Sequence, residues 1–270
     1  MKIRTVLYRV WTYLWHQISA WNTTGEGIHS PCLFAIVRFI LRDRNSYYCF
    51  TEIERCRRQL KACEDTVKVL DFGSQGTKEG TLITRRICDI ADTHLESPQV
   101  AQALFRLLLF MHEDLKRPLC VLELGTSLGI TTSYLASADS RNRLVTLEGS
   151  EALLKIAKSI WKTLKLDNIE WQQGNIDDTL NIYARERWDL VFVDANHTYE
   201  ATKRYVETLL PQMDEKGIIA IDDIYYSPDM TRAWRELQQD PRVTTSMDLY
   251  HVGILFVDPH YLKRHYKIRL

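Results

Sequence analysis

The segment Val121-Leu122-Glu123-Leu124-Gly125-Thr126-Ser127-Leu128-Gly129 constrains the fold of this chain more than any other. Its apolar approach, Leu119 to Leu122, suits a strand covered on both faces, which is the situation of a parallel sheet between two layers of helices. The strand ends in an acid and a glycine-bearing turn that opens into a helix. Gly125 and Gly129 allow the backbone to come close to a ligand at that helix N-terminus, where unpaired N–H groups point outward.

From Leu119 onward the pattern repeats. Strands are expected near 119–124, 143–148, 168–173, 188–194, 217–222, 242–248 and 251–257, with helices between the first six. Such alternation implies a parallel sheet. The last two strands are separated only by Leu249-Tyr250, too short for a crossover helix, so the seventh must run antiparallel beside the sixth. The predicted fold is therefore α/β, a Rossmann-like doubly wound seven-stranded sheet with its last strand antiparallel and a helical extension at the N-terminus.

Each strand delivers polar residues to its C-terminal end, the edge at which open parallel sheets bind ligands. The second ends in Glu148-Gly149, the third in Gly174-Asn175-Ile176-Asp177, the fourth in Asp194-Ala195-Asn196-His197 and the fifth in Asp222-Asp223. A carboxylate at Glu148 suits the two hydroxyls of a ribose. Asp194, Asp222 and Asp223 gathered at one edge would repel one another without a cation. Oxygen ligands select a hard ion, Mg2+ first, with Ca2+ or Mn2+ as alternatives. The plainer reading is that one aspartate caps the following helix while the others face water.

The chain has 270 residues, 45% apolar and 26% charged, enough for a full core. Lys and Arg balance Asp and Glu at 35 each, so no general attraction to nucleic acid is implied. Six cysteines (Cys32, Cys49, Cys56, Cys63, Cys88, Cys120) form no CxxC pair and read as reduced thiols. Cys49, Cys56 and Cys63 share a helix face, but no neighbouring His completes a metal site, and packing is the expected role. No apolar run reaches the ~18 residues of a membrane span. Arg9 interrupts the apolar stretch that a secretion signal needs, so a cytoplasmic protein is expected.

Residues 3 to 21 set Ile3, Leu7, Val10, Leu14, Ile18 and Trp21 at helical spacing, with Lys2, Arg4 and Arg9 nearby. This amphipathic helix suits packing on its own domain, a second subunit (a homodimer through the N-terminal helices) or peripheral contact with an anionic membrane. Ser30-Pro31 reads as a helix start, with helices expected to about Asp43 and from about Tyr48 to Cys63, and His29 as a loop residue. Val67 to Gly76 imitates the later glycine turn. It lacks a following strand that ends in an acid and is expected to be an accessory strand and turn.

The series ELGTSLG, TLEGS, QGNIDD, VFVDANH and IDD, in this order and spacing, resembles the class I S-adenosylmethionine-dependent methyltransferases over about residues 97 to 258. Within that superfamily Asp194 with Asp222-Asp223 looks like the metal-dependent small-molecule O-methyltransferases of catechol and macrocin type. The resemblance implies that Glu123, Gly125, Thr126, Ser127 and Gly129 line the methionine end of S-adenosylmethionine. It puts Glu148 and Gly149 at the ribose and Asn175 and Ile176 at the adenine, with Asp194 touching both cofactor and metal. Many relatives carry aspartate where Asn175 stands; an amide also hydrogen-bonds the adenine edge. Asp194, Asp222 and Asp223 would hold Mg2+, and His197 occupies the position of the general base.

On this reading residues 1–24 form an amphipathic helix, 25–96 a mainly helical accessory region with one strand, 97–258 the cofactor-binding domain and 259–270 a basic tail. Tyr225, Tyr226, Met230 and Trp234 are candidates for one wall of an acceptor pocket. The expected acceptor is a hydroxylated small molecule, sugar or lipid headgroup. A dehydrogenase would need GxGxxG spacing, which is absent, and would leave the acidic trio unexplained. A nucleic-acid methyltransferase draws support from Lys263 to Arg269, but the amine-methylating turn, Asn/Asp-Pro-Pro-aromatic, is missing after the fourth strand. A non-catalytic, membrane-associated scaffold is a further alternative.

Overall fold

The computed structural model describes residues 3–20, 25–71, 80–183 and 185–269. Two compact units emerge, one made of Met1–Asp43 with Ala184–Leu270, the other of Arg44–Tyr183. In the first, helix α1 spans Ile3–Ser19 and α2 spans Pro31–Ala35, continuing as one wider π-helical turn through Ile40. Ser30 caps α2 by accepting the Leu33 N–H at 3.4 Å, with Pro31 preset for the first turn.

The second unit begins with α3 (Phe50–Lys61), a hairpin of β1 (Thr66–Asp71) and β2 (Thr81–Arg86), α4 (Ile87–His94) and α5 (Pro98–Leu115). The accessory region thus has two strands where the sequence suggested one. β1 and β2 pair antiparallel in a sheet of their own. The Gly73–Gly76 turn lies outside the described residues. Then come β3 (Cys120–Leu124), α6 (Ile130–Ser137), β4 (Arg143–Glu148), α7 (Glu151–Leu164), β5 (Ile169–Gln173) and the short α8 (Ile176–Thr179). These three strands lie in the order β3-β4-β5, all parallel. In and beside β3, Leu119, Val121, Leu122 and Leu124 are buried, each burial contributing about 1.5–3 kcal/mol. Cys49 and Cys56 pack in the core of this unit with Phe50, Phe105 and Tyr134. Burial pushes the Cys49 thiol up to about 11. Both cysteines are core residues, none of the six is disulfide-bonded, and among the described residues no cysteine joins a metal-binding cluster.

The chain returns to the first unit with β6 (Trp188–Val193), α9 (Tyr199–Leu209), β7 (Met213–Asp222), α10 (Pro228–Gln239), β8 (Thr245–Asp248), β9 (Val252–Phe256) and β10 (Arg264–Lys267). The order here is β10-β8-β9-β7-β6. β9 runs antiparallel to both β7 and β8, and the short link Leu249-Tyr250-His251 requires this of the β8–β9 pair. With three of these strands in one unit and five in the other, the α/β fold is mostly parallel and has one strand more than the sequence pattern showed. The addition is β10. It pairs parallel to β8, so part of the presumed basic tail is committed to the sheet. Its charged sequence Arg264-His265-Tyr266-Lys267 hides the strand because an edge strand needs little apolar content.

Candidate active site

At the end of β3 the chain makes the glycine turn with Gly125 at φ 100°, Ser127 at φ 50° and Gly129 at φ 76°. Gly129 caps α6, and its glycine is demanded by packing. A Cβ there would lie 2.6 Å from the Ala157 Cβ on α7, and the Trp161 indole N–H donates to the Gly129 carbonyl at 3.1 Å. A glycine at 129 is thus required by the close approach of two helices.

Glu123 is completely buried at the foot of this turn. Its Oε2 accepts the hydroxyls of Thr132 and Thr146, each at 2.6 Å, while Oε1 is buried with no partner. Burial pushes its carboxyl up to about 7, against the lowering effect of the two hydroxyls, and the nearby Glu148 adds to the rise. The second orphan is the Ser127 hydroxyl, also buried and unpartnered. Thr126 is tied instead to Thr146, oxygen to oxygen at 2.6 Å.

Glu148, at the end of β4, accepts the N–H of Ser127 at 2.8 Å on Oε2 and that of Ser150 at 2.8 Å on Oε1. Burial raises its carboxyl, and the amides of Ser150, Ser127 and Gly149 oppose that rise. A carboxylate offers about four acceptor sites, so these backbone amides leave capacity for a hydroxyl group. Past β5, Gly174 at φ 137° donates to the Glu148 carbonyl at 2.9 Å. Asn175 then caps α8, accepting the Asp177 N–H at 3.0 Å. Asn175 and Ile176 are both half-buried.

In the other unit, Asp194 follows β6 and Asp222 ends β7. The ligand atoms of Asp194, His197 and Asp222 lie within 4.8 Å of one another, all three half-buried. His197 Nε2 is 3.5 Å from Asp194 Oδ1. Asp223, expected as the third carboxylate, is not part of this cluster. The chain turns there with φ 53°, and its carbonyl accepts the Tyr226 N–H at 2.8 Å. His197 takes the third place instead. The two carboxylates fit a hard divalent ion, and the imidazole stands beside them.

The proposed aromatic wall is only partly available. Met230 and Trp234 are core residues: Met230 Sδ accepts the Thr202 hydroxyl at 3.2 Å, and Trp234 is buried against Gly253, where a Cβ would meet its ring at 2.6 Å. Tyr225 is also buried and donates to Asp248 Oδ2 at 2.6 Å. Tyr226 alone is exposed, its ring 5.7 Å from that of His197. The Arg9 guanidinium lies over Tyr226 at 5.6 Å, a neighbour that no local sequence signal announced.

Residues 122–224 match a family model described as a methyltransferase domain. Together with the α/β fold and the acid-bearing glycine turn, this makes residues 122–224 similar to a methyltransferase domain. Solved structures extend the likeness of the fold. An O-methyltransferase from Bacillus cereus in complex with SAH shares 20% identity, with 80% of this chain and 93% of that one covered and a TM-score of 0.56. The O-methyltransferase TomG from Streptomyces achromogenes, involved in tomaymycin synthesis and in complex with SAM, shares 20% identity over 79% and 90% of the two chains, TM-score 0.54. An SAH-bound methyltransferase from Podospora anserina shares 19% over 79% and 89%, TM-score 0.56. No curated protein matches the chain.

Proposed function

We propose that this protein transfers the methyl group of S-adenosylmethionine to an oxygen of a hydroxylated small molecule, sugar or lipid headgroup, with a divalent cation held by Asp194 and Asp222. The observation that carries the cofactor assignment is the pair of orphaned buried oxygens, Glu123 Oε1 and Ser127 Oγ, beneath the glycine turn. A buried carboxylate without a counter-charge is costly. A cationic, hydroxyl-bearing ligand removes that cost, and S-adenosylmethionine supplies an ammonium, a ribose and an already activated methyl.

In this reading Glu123 and Ser127 face the amino-acid end, Glu148 with Gly149 holds the ribose hydroxyls, and Asn175 and Ile176 meet the base. Asp194 and Asp222 would hold the cation, which would supply the lowering of the acceptor hydroxyl's pKa. His197 receives the proton; histidine is the side chain whose ordinary titration spans neutral pH. Tyr226 covers one side of His197. The step then needs mostly alignment and exclusion of water.

Calorimetric titration with S-adenosylmethionine and S-adenosylhomocysteine tests this, with and without Mg2+ or Mn2+ and with NADH as control. Micromolar binding of the sulfonium pair is expected. Silence toward both, or a response to NADH alone, would sink the cofactor assignment. Methylation of acceptors that is indifferent to chelator would remove the metal from it.

A further inference from the structure

We propose that α1 docks this protein on the surface of an anionic lipid bilayer. Helix α1 is turned the opposite way from an ordinary amphipathic surface helix. The face toward its own unit is polar: Tyr8 donates to the Thr231 hydroxyl at 2.7 Å, the Tyr250 hydroxyl donates to the Arg9 carbonyl at 2.7 Å, and His16 Nε2 lies 3.1 Å from Asp248 Oδ1. Near the end of the helix Lys267 donates to the Ser19 hydroxyl at 3.2 Å.

The face turned to water is apolar. Leu7, Val10, Trp11, Leu14, Trp15 and Ile18 are exposed, Trp11 by 67% and Ile18 by 77%. With Val6 and Tyr13, and interrupted among the described side chains by Gln17, they cover an arc of about 200° at 100° per residue. A seam between two helices is a narrower stripe. An arc of half the circumference, with tryptophans and a tyrosine in it, is what a helix lying in a headgroup layer presents. Contiguous exposed apolar surface of this kind marks an interaction site.

Charge selects the occupant. No Asp or Glu occurs before Glu26, whereas Lys2, Arg4 and Arg9 do. A groove of 710 Å3 runs along α1 between Trp11, Trp15 and α10. It is lined by Arg232, Arg235 and Lys267 against the single acid Glu236. Basic groups beside an apolar face are complementary to anionic headgroups. Among the described residues no helix is long and apolar enough to cross a membrane, so the contact is a surface one.

The test is flotation of the full chain with vesicles of phosphatidylcholine alone and of phosphatidylcholine mixed equally with phosphatidylglycerol, for the wild type and for L14E/I18E. Both substitutions fall on the water-facing arc, so the hydrogen-bonded face is untouched, and circular-dichroism melts check the fold. Wild-type protein should float with the anionic vesicles and be released by high salt. Neutral vesicles, and the double variant on anionic ones, should hold at least about tenfold less. Absence of flotation, or equal flotation on neutral vesicles, overturns the proposal. So does a solution dimer, by light scattering, that L14E/I18E splits while the wild type ignores vesicles, which would assign the face to a second copy of this chain. Should the double variant unfold, Trp15→Ser is read in the same way.

Discussion

Glu148 and Ser127 are 21 positions apart, yet the carboxylate at the end of β4 accepts the backbone N–H in the middle of the glycine turn at 2.8 Å. The acid thus holds the shape of the turn. Glu148→Ala should leave the amides of Ser127 and Ser150 without their acceptor and cost about 1–3 kcal/mol of stability. It should also weaken S-adenosylhomocysteine binding by at least about tenfold. Thermal melts and calorimetry check the two effects, and a variant that melts like wild type would refute the supporting role.

Glu123 carries a pH signature. Its carboxyl is raised by burial from 4.5 to about 7 in the fold, so between those values the folded state binds more protons than the unfolded one. Stability from this group is therefore full at the acid end and falls as pH rises toward 7. Glu123→Gln should flatten that decline and stabilise the protein above pH 7 by at most about 3 kcal/mol, measured by urea denaturation at about pH 5 and about pH 8. A variant less stable at the alkaline end would contradict the cost of the buried charge.

Cofactor binding below pH 7 should release a proton from the same group, because a cationic ligand beside Glu123 lowers its pKa. Titration in two buffers of different ionisation enthalpy reads this directly. Equal heats in both buffers would show that Glu123 does not meet a positive charge.

Gly129 separates packing from ligand binding. Gly129→Ala places a Cβ 2.6 Å from Ala157 Cβ at φ 76° and should cost about 1–3 kcal/mol through overpacking and strain. Pairing it with Ala157→Gly should recover the part of the overpacking due to the Ala157 Cβ and leave the strain and the Trp161 Nε1 contact at 2.8 Å. No recovery in the double variant would mean that α6 and α7 do not set the limit.

The metal cluster predicts unequal aspartates. Asp222→Asn should lower turnover by at least about a hundredfold. Asp223→Asn, outside the cluster and at a φ that asparagine tolerates, should lower it by less than about tenfold. His197→Ala should resemble Asp222→Asn in turnover with unchanged cofactor affinity. Equal losses for the two aspartate variants would return Asp223 to the site.

Much of this was legible because local pattern is enough for it. The apolar run into Glu123, the short link after Asp248 and the polar residues at strand ends follow from period, connection length and the polarity of strand ends. They yielded the parallel sheet, its antiparallel strand and the candidates at the sheet edge. What the sequence could not show is which partner each side chain meets across the fold. Gly129 faces Ala157 and Trp161, Thr132 and Thr146 hold Glu123, and His197 displaces Asp223 beside Asp194 and Asp222. β10 gains its place by pairing with β8 although its own residues are charged. The orientation of α1 depends on Thr231, Asp248 and Tyr250, more than two hundred residues away along the chain. A hydrophobic period marks an amphipathic helix, but only the hydrogen bonds of its docked face decide which side is left to water.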